Sequence, residues 1–334
     1  MRKTTLLYPF SILLLAISLP AAAQQSNPDS LRKMRDDLTM QAALRYPALR
    51  MASVQLETIG GAHYTSSLQG KDFLHGRMDR QTSLKAGFTY PVFTAGTQEL
   101  SLGVVYQSQE TGLRNTINEL NQFHVSDGEY DFRNLTLSAN YRRTDTLFHK
   151  PVLWGGTVLT KFSLQSSFVR AIGLVYVRVP LKTTRTTRIA VGLVGAIDPS
   201  SLIPVIPSFS YWHRFAGSPW EISLDLPTHL FVSRSVFSRG LLSLGTELDQ
   251  NTLLRKMDGP YPLQGGLALR DLDLKTGFTL EFPLFRKMLI GCSGGLLTTM
   301  SYRIQDPGKP NNQYIAKINR DPAPYFNVHI ALLR

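Results

Sequence analysis

The stretch DLDLKTGFTLEF, residues 271–282, alternates for its whole length. Leu272, Leu274, Thr276, Phe278, Leu280 and Phe282 share one face of an extended strand. Asp271, Asp273, Lys275, Gly277, Thr279 and Glu281 share the other. A side-chain period of two defines a strand, and helical spacing does not fit the run. One face suits oil and the other suits water.

The same pattern recurs along the chain. Leu84, Ala86, Phe88 and Tyr90 oppose Ser83, Lys85, Gly87 and Thr89, and Leu135, Leu137, Ala139 and Tyr141 oppose Thr136, Ser138, Asn140 and Arg142. Ala52, Val54 and Leu56 oppose Ser53, Gln55 and Glu57, and Phe326, Val328, Ile330 and Leu332 form one face of the last segment. Fourteen strands are predicted, near 50–58, 82–91, 98–108, 131–142, 152–164, 169–180, 187–197, 205–214, 219–226, 229–237, 240–248, 271–282, 288–302 and 324–334. Interruptions between 165 and 240 leave twelve as the alternative count, and an even number is required either way. Four long connections, 59–81, 109–130, 249–270 and 303–323, each join an odd strand to the next even one. They therefore fall on one side of an up-and-down meander, with short turns on the other.

The beginning of the chain sets the compartment. Arg2 and Lys3 precede the apolar run LLYPFSILLLAISLP, which ends in Ala21, Ala22, Ala23 and Gln24. That order reads as a secretory signal peptide over 1–23, followed by a periplasmic leader over 24–47 and a single domain over 48–334. Ser30 is a candidate cap for a short leader helix carrying Leu31, Met34 and Leu38. The only cysteine is Cys292, which excludes an intrachain disulfide and a lipid-modified cysteine at the cleavage site. Lys and Arg number 36 against 24 Asp and Glu, a formal net charge of +12, but the basic residues are dispersed, with RKMR at 32–35 the densest run. Export and dispersion exclude nucleic acid as the partner and favour a solvated or headgroup-facing surface.

Alternation alone also suits a soluble β-sandwich. Three features favour an all-β transmembrane antiparallel up-and-down β-barrel of about 12–14 strands. The best strands carry no charge on their apolar face over about ten residues, the length a tilted strand needs to cross hydrocarbon. Aromatic residues mark strand ends on that face: Tyr90, Tyr141, Trp220 and Phe282 on the turn side, and Tyr106, Tyr302 and Phe326 on the loop side. The opposite face mixes Gly, Ser, Thr and isolated charges, as a wet lumen does.

Gln24 after the signal, the segment PVIPSFSYWHRFAGSPWEISLDLPTHLFVSR at 204–234 and the closing FNVHIALLR at 326–334 resemble an uncharacterised outer-membrane β-barrel family of Bacteroidetes. The resemblance implies location in the cell outer membrane, contact with its lipids and insertion by the barrel-assembly machinery. It implies no activity.

The sequence holds no phosphate-binding glycine loop, HExxH or CxxC. No cofactor or metal is expected. Ser208, Ser210 and His213, with Asp225 across a turn, form the one weak candidate for a membrane-embedded lipid-modifying enzyme. DGEYD at 127–131 has calcium-like ligand types without the rest of a calcium loop, and a solvated loop is the expectation. The strongest constellation lies inside. Glu221, Asp225, Glu247, Asp271, Asp273 and Glu281 all face the lumen from one arc, with Lys275 among them. Either they form an acidic wall favouring cations, or they pair with Lys85, Arg142 and Lys161 across a filled lumen. The small bore and the available partners favour the second. The sequence thus predicts a passive small-solute conduit or a structural, surface-binding barrel, with the solute unspecified.

Overall fold

A computed structural model describes residues 39–334 apart from 69, 119–126, 148, 167–168, 199–200, 202–203, 238, 258–264, 286, 307–312 and 334. The predicted signal peptide and most of the predicted leader lie outside the described residues. Residues 39–45 are helical, and the rest of the described chain is almost entirely β.

The strands are β1 (Arg50–Ile59), β2 (Ala62–Leu68), β3 (Lys71–Ala95), β4 (Gln98–Asn118), β5 (Gly128–Leu147), β6 (Lys150–Ser163), β7 (Val169–Thr183) and β8 (Thr187–Ile197), followed by β9 (Val205–Arg214), β10 (Trp220–Leu226), β11 (His229–Val236), β12 (Gly240–Met257), β13 (Gly265–Phe285), β14 (Met288–Gln305), β15 (Tyr314–Arg320) and β16 (Ala323–Leu333). All pairings are antiparallel. β1 pairs with β3 on one side and with β16 on the other, and β16 continues to β14, so the sheet closes on itself. β2 extends β1 beyond Gly60 and Gly61, and β15 leads into β16 through Asp321 and Pro322. Counting each of these pairs as one wall strand, the described residues form a closed fourteen-stranded barrel. Each of the fourteen predicted strands coincides with one of them.

The prediction of four long loops is corrected. Residues 62–68 and 71–81 are strand, β4 runs to Asn118, β12 to Met257, and β13 begins at Gly265. The loop side is a tall β-extension made of β12 to β15 and β2 to β5. Beyond the bilayer neither face meets lipid, so the alternation that marks membrane strands fades, as in KDFLHGRMDR. β6 to β11 turn back early, and β10 has only seven residues. The wall is high on one arc and low on the other.

The faces of β13 fall as its alternation requires. Asp271, Asp273, Lys275 and Glu281 are buried inside the barrel, whereas Phe278 is exposed on the outer surface. Val54, Leu56, Phe88, Tyr90, Leu102, Leu137, Val158, Leu244, Phe326 and Ile330 continue the outer belt, all substantially exposed. So wide an apolar surface is stable only against hydrocarbon. Trp220 carries Arg234 over its ring, Tyr141 meets Trp154 edge to face, and Phe282 packs on Phe237, all near the short turns.

Tyr302 departs from the predicted girdle. A bulge at Met300 shifts the β13–β14 register between Leu272 and Asp273, so Tyr302 pairs with Asp271 and points inward, 6% exposed. One extra residue reverses every following side chain. Tyr106 and Phe326 stay on the outer face.

Placing Phe278 against lipid predicts that Phe278→Arg lowers stability by about 2–4 kcal/mol near the midplane. Thr279→Arg, pointing inward, should retain most of the folded yield. Folded yield in lipid bilayers checks both, and equal loss from the two would reverse the face assignment.

Candidate functional site: an occluded lumen

Glycines let the inner wall curve. Gly245, Gly277 and Gly295 occupy one register row across β12, β13 and β14. A Cβ on Gly277 would stand 2.1 Å from the Gly294 carbonyl oxygen, and one on Gly295 2.1 Å from that of Thr276. Only a residue without a side chain allows the strands to bend this closely.

Above this row the tall arc turns inward. β11 stops pairing with β12 at His229 opposite Glu247, so the later residues of β12 have a free edge. That edge lies against the inner faces of β5 and β6. Asn134 accepts from the Leu254 N–H at 2.9 Å and donates to the Leu254 carbonyl at 3.3 Å; Lys161 donates to the Thr252 carbonyl. Gln107 donates to Asn251 at 3.0 Å, and Arg255 donates to the Asp131 carbonyl at 3.2 Å. An unpaired strand edge away from water must find such partners. Inside the extension, Tyr64, Phe73, Leu74, Met78, Leu267 and Ala316 form a hydrophobic cluster. The loop-side end of the lumen is therefore filled along this arc.

The turn-side end holds the helix at 39–45. Met40, Ala43 and Leu44 pack on Leu241, Leu289, Ala331 and Leu333. Arg45 Nε binds Glu221 at 2.7 Å, and Arg50 binds Glu281 at 2.8 Å. His329 Nε2 lies 2.7 Å from the same Glu281 carboxylate, and Arg188 donates to the Tyr46 hydroxyl. The helix at 39–45 is thus a plug, and its apolar face is Met40, Ala43 and Leu44.

Between the two ends runs an ionic ladder. Lys275 Nζ meets Glu57 at 2.6 Å and Asp249 at 2.7 Å, with Lys85 3.7 Å from Asp249. Arg320 binds Asp273 at 3.1 Å and also donates to Gln81 and Thr299. Asp225 meets Arg178 at 3.1 Å. Glu247 has no ion pair among the described residues and is solvent-exposed within the lumen.

All six arc carboxylates lie on the inner face, at different heights and with different partners. Glu221 holds the plug, Glu281 binds Arg50 and His329 of the adjoining wall, Asp271 and Asp273 sit in the pinched end, and Asp225 and Glu247 face the hollow part. Two of the expected basic partners differ. Arg142 binds Glu99 on the neighbouring strand at 2.7 Å, and Lys161 meets carbonyl and amide oxygens where a carboxylate was expected. Glu57, Asp249, Arg320, Arg45, Arg50, Arg178 and His329 are additional members. Glu57 lay on the polar face of β1 in the alternation; Asp249 fell one residue beyond the predicted strand, and Arg320 fell in a predicted loop.

The weak catalytic set does not assemble. Ser208 and Ser210 point inward, while His213 lies on the outer face, 2.9 Å from Thr187 and against Phe215. In DGEYD, Asp127 accepts the backbone N–H groups of Asn115 and Thr116 at 3.0 and 2.8 Å, which hold its carboxyl below the usual range. Asp131 accepts from Gln165 at 2.8 Å and lies near Arg133.

These features define a class: a membrane-spanning β-barrel whose bore is occupied at both ends by its own chain. No family model matches the chain, and no curated protein matches it. Similar solved structures include an outer membrane channel from Pseudomonas putida, 8% identical over 85% of this chain and 96% of that one, TM-score 0.35. A Pseudomonas aeruginosa FadL homologue is 8% identical over 87% and 92%, TM-score 0.39. The outer membrane phospholipase A of Escherichia coli is 9% identical over 82% and 95%, TM-score 0.31. The fold assignment rests on the strand register of this chain.

Lys275, 4% exposed, neutralises two carboxylates. Lys275→Met should destabilise the barrel by about 3–5 kcal/mol, because Glu57 is left uncompensated and Asp249 keeps only Lys85, at 3.7 Å. Adding Glu57→Gln should restore part of the loss. Denaturant unfolding of the bilayer-inserted protein reads both.

Proposed function

We propose that this chain is an outer-membrane barrel acting as a passive conduit for small solutes, with a closed resting state. One observation carries the reading. The inner wall of β6 to β9 presents Leu159, Ile172, Leu174, Val194, Ala196 and Ile206, none of them fully buried. A barrel serving only as a filled post would bury such side chains. Here they line unfilled space opposite the ionic ladder, so the bore is hollow along one side and obstructed at its ends.

Both obstructions combine polar contacts with a small apolar cluster. Arg45–Glu221 and the hydrogen bond from Arg50 to the Ala43 carbonyl can exchange for water as the helix leaves, which makes the plug the movable part. Export by the signal peptide, insertion by the barrel-assembly machinery and contact with outer-membrane lipids belong to the same proposal. The short turns then face the periplasm, and so does the plug.

In planar bilayers the mature chain should show sparse unitary currents, and a chain lacking residues 24–47 should show sustained conductance. Absence of current from both, with folding verified, would remove the conduit. Glu247→Gln should shift the reversal potential in a salt gradient toward anions, since Glu247 is an unpaired carboxylate in a bore comparable with the Debye length of about 8 Å.

A further inference from the structure

Along the loop-side rim of the low arc stand Leu164, Val169, Ile197, Val205 and Leu226, exposed by 52, 48, 66, 53 and 46%. They lie at the loop-side ends of β6, β7, β8, β9 and β10 in turn. The tall arc behaves differently. Above Tyr106 and Leu135 its outer face turns polar, with Ser108, Glu110, Asp131 and Arg133 next in register. An exposed rim of large aliphatic side chains belongs at hydrocarbon depth, and a polar face above an aromatic belongs in the headgroup zone or water. β10 supports this by length. Seven residues at roughly 3.3 Å each, tilted near 40°, rise only about 18 Å, less than the apolar band of about 25 Å that a barrel spans.

Immediately behind this rim lies the apolar inner wall of β6 to β9. Val205 at the rim is followed by Ile206 facing inward, and Ile197 is preceded by Ala196 facing inward. At β8 and β9 the apolar surface therefore passes over the edge without a polar break, whereas Ser163, Arg170 and Asp225 face inward behind Leu164, Val169 and Leu226. An ion-paired cluster stands on the direct route to water from the same chamber. Arg170 of β7 and Arg270 of β13 both bind Asp198, at 2.7 and 2.8 Å, and all three side chains are 5–12% exposed. An ion-paired bolt thus spans the top of the chamber, while its side is open to oil.

Resting on the conduit reading above, we propose that the solutes are apolar molecules dissolved in the bilayer, which enter the chamber sideways over the low rim. The ionic ladder and the plug lie beyond that chamber.

The proposal can be tested in the full mature chain with Cys292→Ser, which removes the only cysteine. A nitroxide is attached at Ile206→Cys or, separately, at Val194→Cys, and the protein is placed in phosphatidylcholine bilayers. Collision with oxygen, which concentrates in hydrocarbon, is compared with collision with a water-soluble nickel chelate. Phe209→Cys on the lipid face and Thr89→Cys on the inner face serve as references. The oxygen-to-nickel ratio at 206 and 194 should match that at 209. Adding Val205→Asp and Leu226→Asp at the rim should lower it. A ratio like that at 89, or a label reached by neither agent, would overturn the lateral route. If conductance persists alongside a nickel-accessible chamber, the route fails and the conduit stands; if conductance is absent, the conduit itself has failed.

Discussion

Everything in this structure depends on the double pairing of β1, in register with both β3 and β16 from Ala52 to Ile59. An open edge in hydrocarbon would leave a row of backbone donors and acceptors without partners, at several kcal/mol each. The first and last wall strands must therefore meet. Once they do, each wall strand has one face in lipid and one in the lumen, and the chain's alternation acquires a fixed sense.

Closure also explains the unequal heights. A strand outside the bilayer still needs partners, and the tall arc supplies them from within, through β2, β15 and the extended ends of their neighbours. Beyond Leu248, among the described residues, β12 is paired with β13 on one side and has no strand neighbour on the side of β11. Asn134, Lys161 and Arg255 satisfy its edge, and this brings the arc across the bore. Occlusion at the loop side is thus a consequence of satisfying backbone groups, reinforced by the cluster around Leu267.

The charges inside follow a different logic. A lysine and two carboxylates buried together are costly to desolvate, and replacing the whole set by apolar residues can be neutral. Their position across β1, β12 and β13 joins the seam of the barrel to the strand that bends inward. The apolar chamber on the opposite wall needs no such partners. The interior is consequently two-sided, densely ionic beside the seam and with an aliphatic stretch of β6 to β9 between the Arg170–Asp198 and Arg178–Asp225 pairs beneath the low rim.

The sequence by itself determined the strands and their faces. From DLDLKTGFTLEF alone, Phe278 goes to one solvent and Lys275 to the other, because a period of two leaves no third choice. The inward position of all six acidic residues was legible for the same reason. Tertiary structure decided what each inward group meets. Lys161 was read as a partner for carboxylates and instead meets a backbone carbonyl, because the bend of β12 brings Thr252 to it. Tyr302 was placed on the lipid face and lies inside, because one bulged residue at Met300 is invisible in a two-residue pattern. The unequal wall height, the plug and the bolt at Asp198 also come from tertiary structure, since each depends on contacts between residues dozens to hundreds of positions apart, and alternation carries only local information.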